Sequence, residues 1–284
     1  MNEAFLHYEA TLRSLELCVL IVLVGCWEMF ATSRTAQGPV YSRWLNHFVL
    51  LFLDNLISKL VLPVVTVGLA FAVAEKGWGL FNAVDLPAAL VFVLTILLLD
   101  LNNYIQHRLM HKIPIFWRVH KVHHTDIDVD WSTAFRFHPG EFILTLGLQA
   151  VVITLLGAPP AAVAIYEMVF VISAFFVHAN VVLPAELEHR LRLLLVTPDM
   201  HRVHHSSRRL ECDANYSGIF SWWDRWFSTY KKEPLLGQLG MVLGLPQYRE
   251  ANEQTLLWLL KLPFEGAGKI VPSRQLSETE KVIP

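Results

Sequence analysis

Residues 142–166 carry no charged side chain, and a second apolar stretch follows at 161–177 after Gly157-Ala-Pro159-Pro160. A run of this kind needs an apolar solvent around it, and roughly 20 residues of helix are enough to cross a bilayer. Proline cannot continue a helix interior, so the break divides the run into two helices joined by a tight turn. Such a hairpin brings the chain back to the side it left, so the segments before and after it share one face of the membrane.

The rest of the chain fits that environment. Of its 284 residues 54% are hydrophobic and only 17% are charged, well above the apolar share of soluble domains. One span is expected at 15–31, with Glu16 and Glu28 near its ends, and another at 48–74, where Asp54 and Lys59 must pair or face protein. A further helix begins in 86–99 and continues through Asp100-Leu-Asn-Asn-Tyr104 to deliver His107 and His111 just outside the hydrocarbon. The expected fold class is all-α: an integral-membrane, multi-pass bundle of about four or five apolar helices, its hairpin crossing or dipping and returning. A helical cap then carries the polar chemistry. Three regions are expected: N-terminal membrane helices over 1–106, a catalytic region over 107–234 that includes the 142–177 hairpin, and a soluble tail over 235–284. Arg34, Arg43, Arg108, Lys112, Arg118, Lys121, Arg136 and the basic residues from Arg190 to Lys232 fall on the cap side, against Arg13 and Lys76 opposite, so the cap is expected to be cytoplasmic.

Several classes are excluded or disfavoured. A net charge of -2 does not suit a nucleic-acid binder, and three cysteines do not form a disulfide framework. Glu3, Glu9, Arg13 and Glu16 precede the first apolar run, which therefore lacks the positive start of a cleaved signal peptide.

Eight of the thirteen histidines stand in three short clusters: His107-Arg-Leu-Met-His111, His120-Lys-Val-His123-His124 and His201-Arg-Val-His204-His205. Gaps of three and four residues bring imidazoles to one helix face, about one turn apart. Neutral imidazole is a common metal ligand, and eight clustered rings exceed the needs of one ion, so two neighbouring metals are expected. Nitrogen ligation without thiolate leaves iron, zinc, copper and manganese open.

The residues around these clusters resemble the fatty acid hydroxylase and sterol desaturase superfamily of integral-membrane oxygenases. Asp100, Tyr104 and the first HxxxH, then Trp117 and the first HxxHH, resemble its first half. Arg136-Phe-His138-Pro139-Gly-Glu141, Phe176-Val-His178-Ala-Asn180 and Thr197-Pro198-Asp-Met-His201 resemble its second half. Asp213-Ala-Asn215-Tyr216 and Trp223-Asp224-Arg225-Trp-Phe227-Ser-Thr229-Tyr230 resemble its C-terminal signature, with Ser217 and Ser228 where the family usually has glycine. The resemblance covers residues 100–230. It implies that His107, His111, His120, His123, His124, His178, His201, His204 and His205 bind two iron ions, with His138 as an addition; zinc can replace iron in a purified sample. His138 and His189 compete as the outermost ligand, because some relatives carry a second HxxxH in this region. His189 sits among charges, and for it, His7 and His47 an ordinary solvent or interface role is expected.

The implied chemistry is O2-dependent attack on an unactivated C–H bond of a membrane lipid. Hydroxylation is the first reading and desaturation on the same centre the second; a non-catalytic membrane metal carrier or transporter is the rival of another class. No dinucleotide fingerprint, haem motif or iron–sulfur cysteine set is present, so an external electron donor, a ferredoxin or reductase, is implied. Asp100, Tyr104, Asn180, Asp199, Asp213, Asn215 and Asp224 are candidates to support the imidazoles, since a ligating histidine commonly donates its other N–H to a polar partner. A zinc protease would want glutamate at position 108, which is arginine.

Overall fold

The computed structural model describes residues 2–61 and 66–265. Helices dominate the described chain, whose only β pairing is three isolated bridges. Helices α1 (Asn2–Ala31), α2 (Val40–Val61), α3 (Thr66–Glu75), α4 (Leu80–Ala83), α5 (Ala88–Lys112), α6 (Pro114–His124), α7 (Pro139–Leu156) and α8 (Pro160–His178) come first. Among the described residues five helical stretches are long and apolar enough to cross a bilayer: Thr11–Ala31, Val40–Ala83, Ala88–Lys112, Pro139–Leu156 and Pro160–His178. The protein is an all-α membrane bundle, as its sequence leads one to expect.

The α7–α8 hairpin forms where the apolar run breaks, but a glycine does as much there as the two prolines. Gly157 ends α7 in the left-handed conformation, φ 68°, with its N–H on the Ile153 and Thr154 carbonyls, and Pro160 then starts α8. A side chain on Gly157 would stand 2.5 Å from the Trp78 carbonyl, and one on Gly79, φ 90°, would stand 2.1 Å from the Gly157 nitrogen. Two glycines therefore let the turn before α4 touch the hairpin tip. Beside that tip Val67, Leu99, Ile153, Val163 and Tyr166 pack α3, α5, α7 and α8 into one core.

Two of the charged groups inside the bundle find partners from other segments. Arg13 on α1 pairs with Glu167 on α8, which also accepts from Thr66 and, at 3.0 Å, from Gln149 Nε2. Glu28 accepts the backbone N–H groups of Trp131 and Asn180, each at 2.8 Å, and so ties α1 to two loops of the cap. Asp54 is buried on α2 with one oxygen unpartnered.

At the other end of the bundle the loops between α6 and α7 and after α8 build the cap. The short 3-10 turn Trp131–Phe135 wedges Trp131 and Phe135 between α1 and α8, against Val24 and Phe175. After α8 come α9 (Ala185–Leu191), α10 (Pro198–His204), α11 (Arg209–Cys212) and α12 (Trp222–Trp226), then α13 (Gly237–Gly240) and α14 (Leu256–Lys261). The segment expected as a soluble tail packs back as far as it is described: Leu259 and Leu262 are buried with Leu50 and Val122, and Gly244 N–H bonds the His205 carbonyl at 3.1 Å. Its remainder, 266–284, lies outside the described residues.

Candidate metal centre

Both HxxHH motifs sit on short helices that begin with proline at the first turn, where a missing N–H costs nothing. Pro114 opens α6, and Pro198 opens α10 behind Thr197, whose hydroxyl accepts the Met200 N–H. Successive helical residues are rotated by about 100°, so positions i and i+4 share a face while i+3 points well away from i+4. The structure uses that divergence. His120 and His124 of α6 join His107 and His111 of α5, while His123 leaves for the other side. His201 and His205 of the α10 motif join His178 at the end of α8 and receive His123; His204 crosses to the first group.

Two groups result: His107, His111, His120, His124 and His204; and His123, His178, His201 and His205. Within each, one ring nitrogen per residue lies within 4.8 Å of all the others. The groups abut, with His124 and His205 stacked at 4.8 Å between ring centroids and His201 5.3 Å from His204. All but His107 of these nine are buried.

The outward nitrogens show what the inward ones must be. Nδ1 of His107, His178 and His204 lies 2.8, 2.7 and 2.7 Å from the carbonyls of Tyr216, Ala174 and Ala214. His123 Nδ1 lies 3.3 Å from the Arg136 carbonyl and His120 Nδ1 2.6 Å from Glu141 Oε1. A carbonyl can only accept, so each of these Nδ1 atoms carries the hydrogen and the inward Nε2 of a neutral ring is a lone pair. Yet Nε2 of His123 and His178 face each other at 3.2 Å, with His178–His201 and His201–His205 at 3.1 and 3.2 Å. His111–His120 and His120–His124 are 3.1 Å apart in the other group, and the Nε2 atoms of His107 and His204 are buried without a partner. Lone pairs aimed at one another repel unless a cation lies between them. Donors about 2.1 Å from one ion are separated by about 3.0 Å at right angles and about 3.4 Å in a tetrahedron, the spacing these rings have. The residues fit two metal ions.

Electrostatics agree. Burial first, then the neighbouring imidazoles, pushes His123, His124, His201 and His205 well below the ordinary histidine value, and burial with His120 takes His204 down to about 3. These five rings are therefore neutral at pH 7, as ligands must be. Cys212 Sγ lies 3.6 Å from His124 Nδ1, but burial pushes its thiol up, so it stays protonated behind the ring.

The matches to known proteins cover this part of the chain. The model of the Fatty acid hydroxylase family matches residues 92–229, a span that holds all nine rings. A cholesterol 25-hydroxylase-like protein of Danio rerio is 30% identical over 188 residues, 65% of this chain and 68% of the relative. This chain belongs to the fatty acid hydroxylase superfamily. It is also similar to the alkylglycerol monooxygenase of Danio rerio, 32% identical over 164 residues that make up 55% of this chain and 34% of that protein. The ornithine lipid hydroxylase OlsE of Rhizobium tropici is 29% identical over 151 residues, 52% of this chain and 44% of the relative. The chain thus spans from about a third to under half of the length of those two proteins. No solved structure matches it.

One histidine expected in the centre of this family member stands elsewhere. His138 caps α7: its Nδ1 accepts the Gly140 N–H at 3.0 Å and its Nε2 faces the Leu260 carbonyl at 3.3 Å. Its lone pair is on the opposite nitrogen from that of the inward-facing rings, and it belongs to neither group. His189 is exposed, as expected. His47, expected at a solvent or interface position, is instead fully buried between Ser132, at 2.9 Å, and the Arg136 guanidinium, at 3.1 Å. His7 lies outside the residues whose side chains are described.

Of the seven polar residues expected behind the imidazoles, Asp213 comes closest to the role, its Oδ1 3.4 Å from His111 Nδ1 without a hydrogen bond between them. Asp224 acts one step removed. It accepts the N–H groups of Tyr216 and Ser217 at 2.8 and 3.0 Å and so aims the Tyr216 carbonyl at His107. The other five bond elsewhere. Asp100 takes the Trp223 indole N–H at 2.8 Å, Tyr104 meets Thr229, Asn180 bridges Arg34, and Asp199 pairs with Arg202. Asn215, at φ 55°, holds the Met200 and Lys231 backbones. Glu141 was not anticipated in this role, although it stands three residues after His138 in a motif the family shares.

Proposed function

We propose that this protein is a membrane-bound, O2-dependent lipid hydroxylase whose two imidazole groups hold a pair of iron ions. His107, His111, His120, His124 and His204 would hold one, and His123, His178, His201 and His205 the other. The observation that carries this reading is the convergence of nine imidazoles in two groups, five of them with the outward nitrogen on an oxygen acceptor, where α5 and α8 leave the apolar layer. Bound there, irons supply the O2-dependent redox chemistry that no amino-acid side chain provides.

The chain's own residues supply the rest. Glu141 and the carbonyls of Tyr216, Ala214, Arg136 and Ala174 fix ring tautomers and raise ligand basicity. The apolar helices keep water from the centre and offer a lipid chain a surface to lie on. In the overall reaction one oxygen atom would enter a C–H bond and the other leave as water, with two electrons from a separate ferredoxin or reductase and two protons from solvent. Arginines and lysines concentrated on the cap support a cytoplasmic position for the centre.

The names of the relatives favour hydroxylation over desaturation, since they describe hydroxylases and monooxygenases. A metal carrier is disfavoured because transport sites lie near the membrane midplane, whereas these rings gather at the helix ends. The test is a comparison of lipid extracts from cells with and without the protein, together with metal analysis of the purified chain. A lipid that gains one oxygen atom and about two irons per chain support the reading; tight zinc with no lipid change and no O2 consumption refutes it.

A further inference from the structure

The outward face of α5 carries a feature that the metal centre does not use. Tyr104, Ile105, Arg108, Leu109 and Lys112, with Phe227 from the end of α12, line a groove of about 270 Å³. Its lining is mostly apolar, and Ile105, Leu109 and Phe227 are 43%, 37% and 43% exposed. The α5 residues among them occupy the last two turns of a membrane-spanning helix, the level at which hydrocarbon gives way to headgroups.

Charge decides what the groove suits. Arg108 and Lys112 are four residues apart, so they project from the same face with about 6 Å of rise between them. No carboxylate lines the groove, and among the described residues none pairs with Arg108. Lys112 has only a share of Asp213, whose Oδ2 lies 3.4 Å from Lys112 Nζ and 3.4 Å from Arg209 Nε. Two cations thus divide one carboxylate, and Arg108 has none, beside an apolar trough. An acyl chain fits against Ile105, Leu109 and Phe227, and a phosphate between Arg108 and Lys112.

We propose that this groove is a binding site for an anionic glycerophospholipid, its phosphate held by Arg108 and Lys112 and one chain lying against Phe227. The cations also explain the preference for an anionic over a zwitterionic lipid, because a choline group beside the phosphate would be repelled by the same charges. Tyr104 forms the back wall and meets Tyr216 edge-on, with ring centroids 6.3 Å apart; Tyr216 in turn lies against His107 and His111. Two tyrosine rings, Tyr104 and Tyr216, therefore stand between the bound lipid and the histidines. The proposal rests on the fold alone and does not depend on the reaction.

The test is native mass spectrometry of the full chain, released from bilayers holding equal amounts of phosphatidylglycerol and phosphatidylcholine. Phosphatidylglycerol should be retained over phosphatidylcholine by roughly tenfold, and Arg108→Gln with Lys112→Gln should bring the ratio close to one. The exchanged pair Arg108→Lys with Lys112→Arg keeps both charges and should keep the preference, which separates lost charge from lost fold. Arg190→Gln with Lys232→Gln removes two cap cations that do not line the groove and should change nothing. Equal retention of the two lipids by the native chain overturns the proposal, as does an unchanged ratio in the double glutamine variant or an equal loss in the Arg190/Lys232 control. Displacement of the lipid by millimolar inorganic phosphate would overturn it too, since a chain-anchored lipid must outlast a free anion.

Discussion

The group of five imidazoles and the group of four come from the same motifs but are supported differently. Behind the five stand two carboxylates, Glu141 at 2.6 Å from His120 and Asp213 at 3.4 Å from His111, together with the Tyr216 and Ala214 carbonyls. Behind the four there are only carbonyls, those of Arg136 and Ala174, and the Nδ1 atoms of His201 and His205 are buried without an acceptor. A carboxylate makes the imidazole it touches a better donor and offsets part of the charge of a divalent ion. The two proposed ions would therefore be held with unequal strength, and the weaker site is the one closed by a single ring from each of α6 and α8 and two from α10.

Removal of the crossing rings gives the largest effect. His123→Ala leaves the smaller group with three imidazoles, fewer than a closed site needs, and should remove about one metal ion per chain and all lipid oxidation. His204→Ala leaves four in the larger group and should keep both ions while slowing turnover. Metal analysis of both variants decides; equal metal loss from the two would end the claim that the groups differ. A milder form of the same test is titration with a chelator, in which one ion should leave well before the other, and His201→Ala should abolish the early phase only.

Much of this was legible before any coordinates, and the reasons are physical. A bilayer demands long apolar helices, and a metal demands ligand-bearing side chains at helical spacing, so both leave periodic marks in the chain. Assignment of each ring to a group was not legible, because it depends on how α10 lies across α6, and nothing local to either motif encodes that. Backbone carbonyls such as those of Tyr216 and Ala174 leave no residue-type signal at all. The aspartates carry no clearer mark: Asp100 and Asp199 have equally good partners nearby in Trp223 and Arg202, and Asp224 reaches His107 only through the Tyr216 backbone. His47 is buried because Arg136, fully buried itself, needs acceptors around its guanidinium and finds His47, Thr125, Gln254 and the Val122 carbonyl. In turn the Arg136 carbonyl is free to hold His123.

The carboxylate difference can be tested directly. Glu141→Gln keeps an acceptor oxygen for His120 but removes its charge, and should lower metal affinity of the larger group by about 10–100-fold. Asp213→Asn should cost less, because its contact with His111 is longer and its charge is shared with Lys112 and Arg209. If Glu141→Gln weakened the smaller group instead, the assignment of support to the five-ring side would be wrong.

The smallest effect belongs to the histidine that neither group uses. His138 spends its Nδ1 lone pair on the Gly140 N–H at the start of α7 and directs Nε2 toward the Leu260 carbonyl, so no lone pair is left for an ion. His138→Ala should therefore leave the metal content of both groups unchanged. It should cost about 1 kcal/mol of stability, the usual worth of a helix cap, read as a lowered melting temperature in detergent. His138→Asn, which can also cap, should recover most of that loss. A variant that instead gave up an ion while melting normally would return His138 to the centre and raise the smaller group to five.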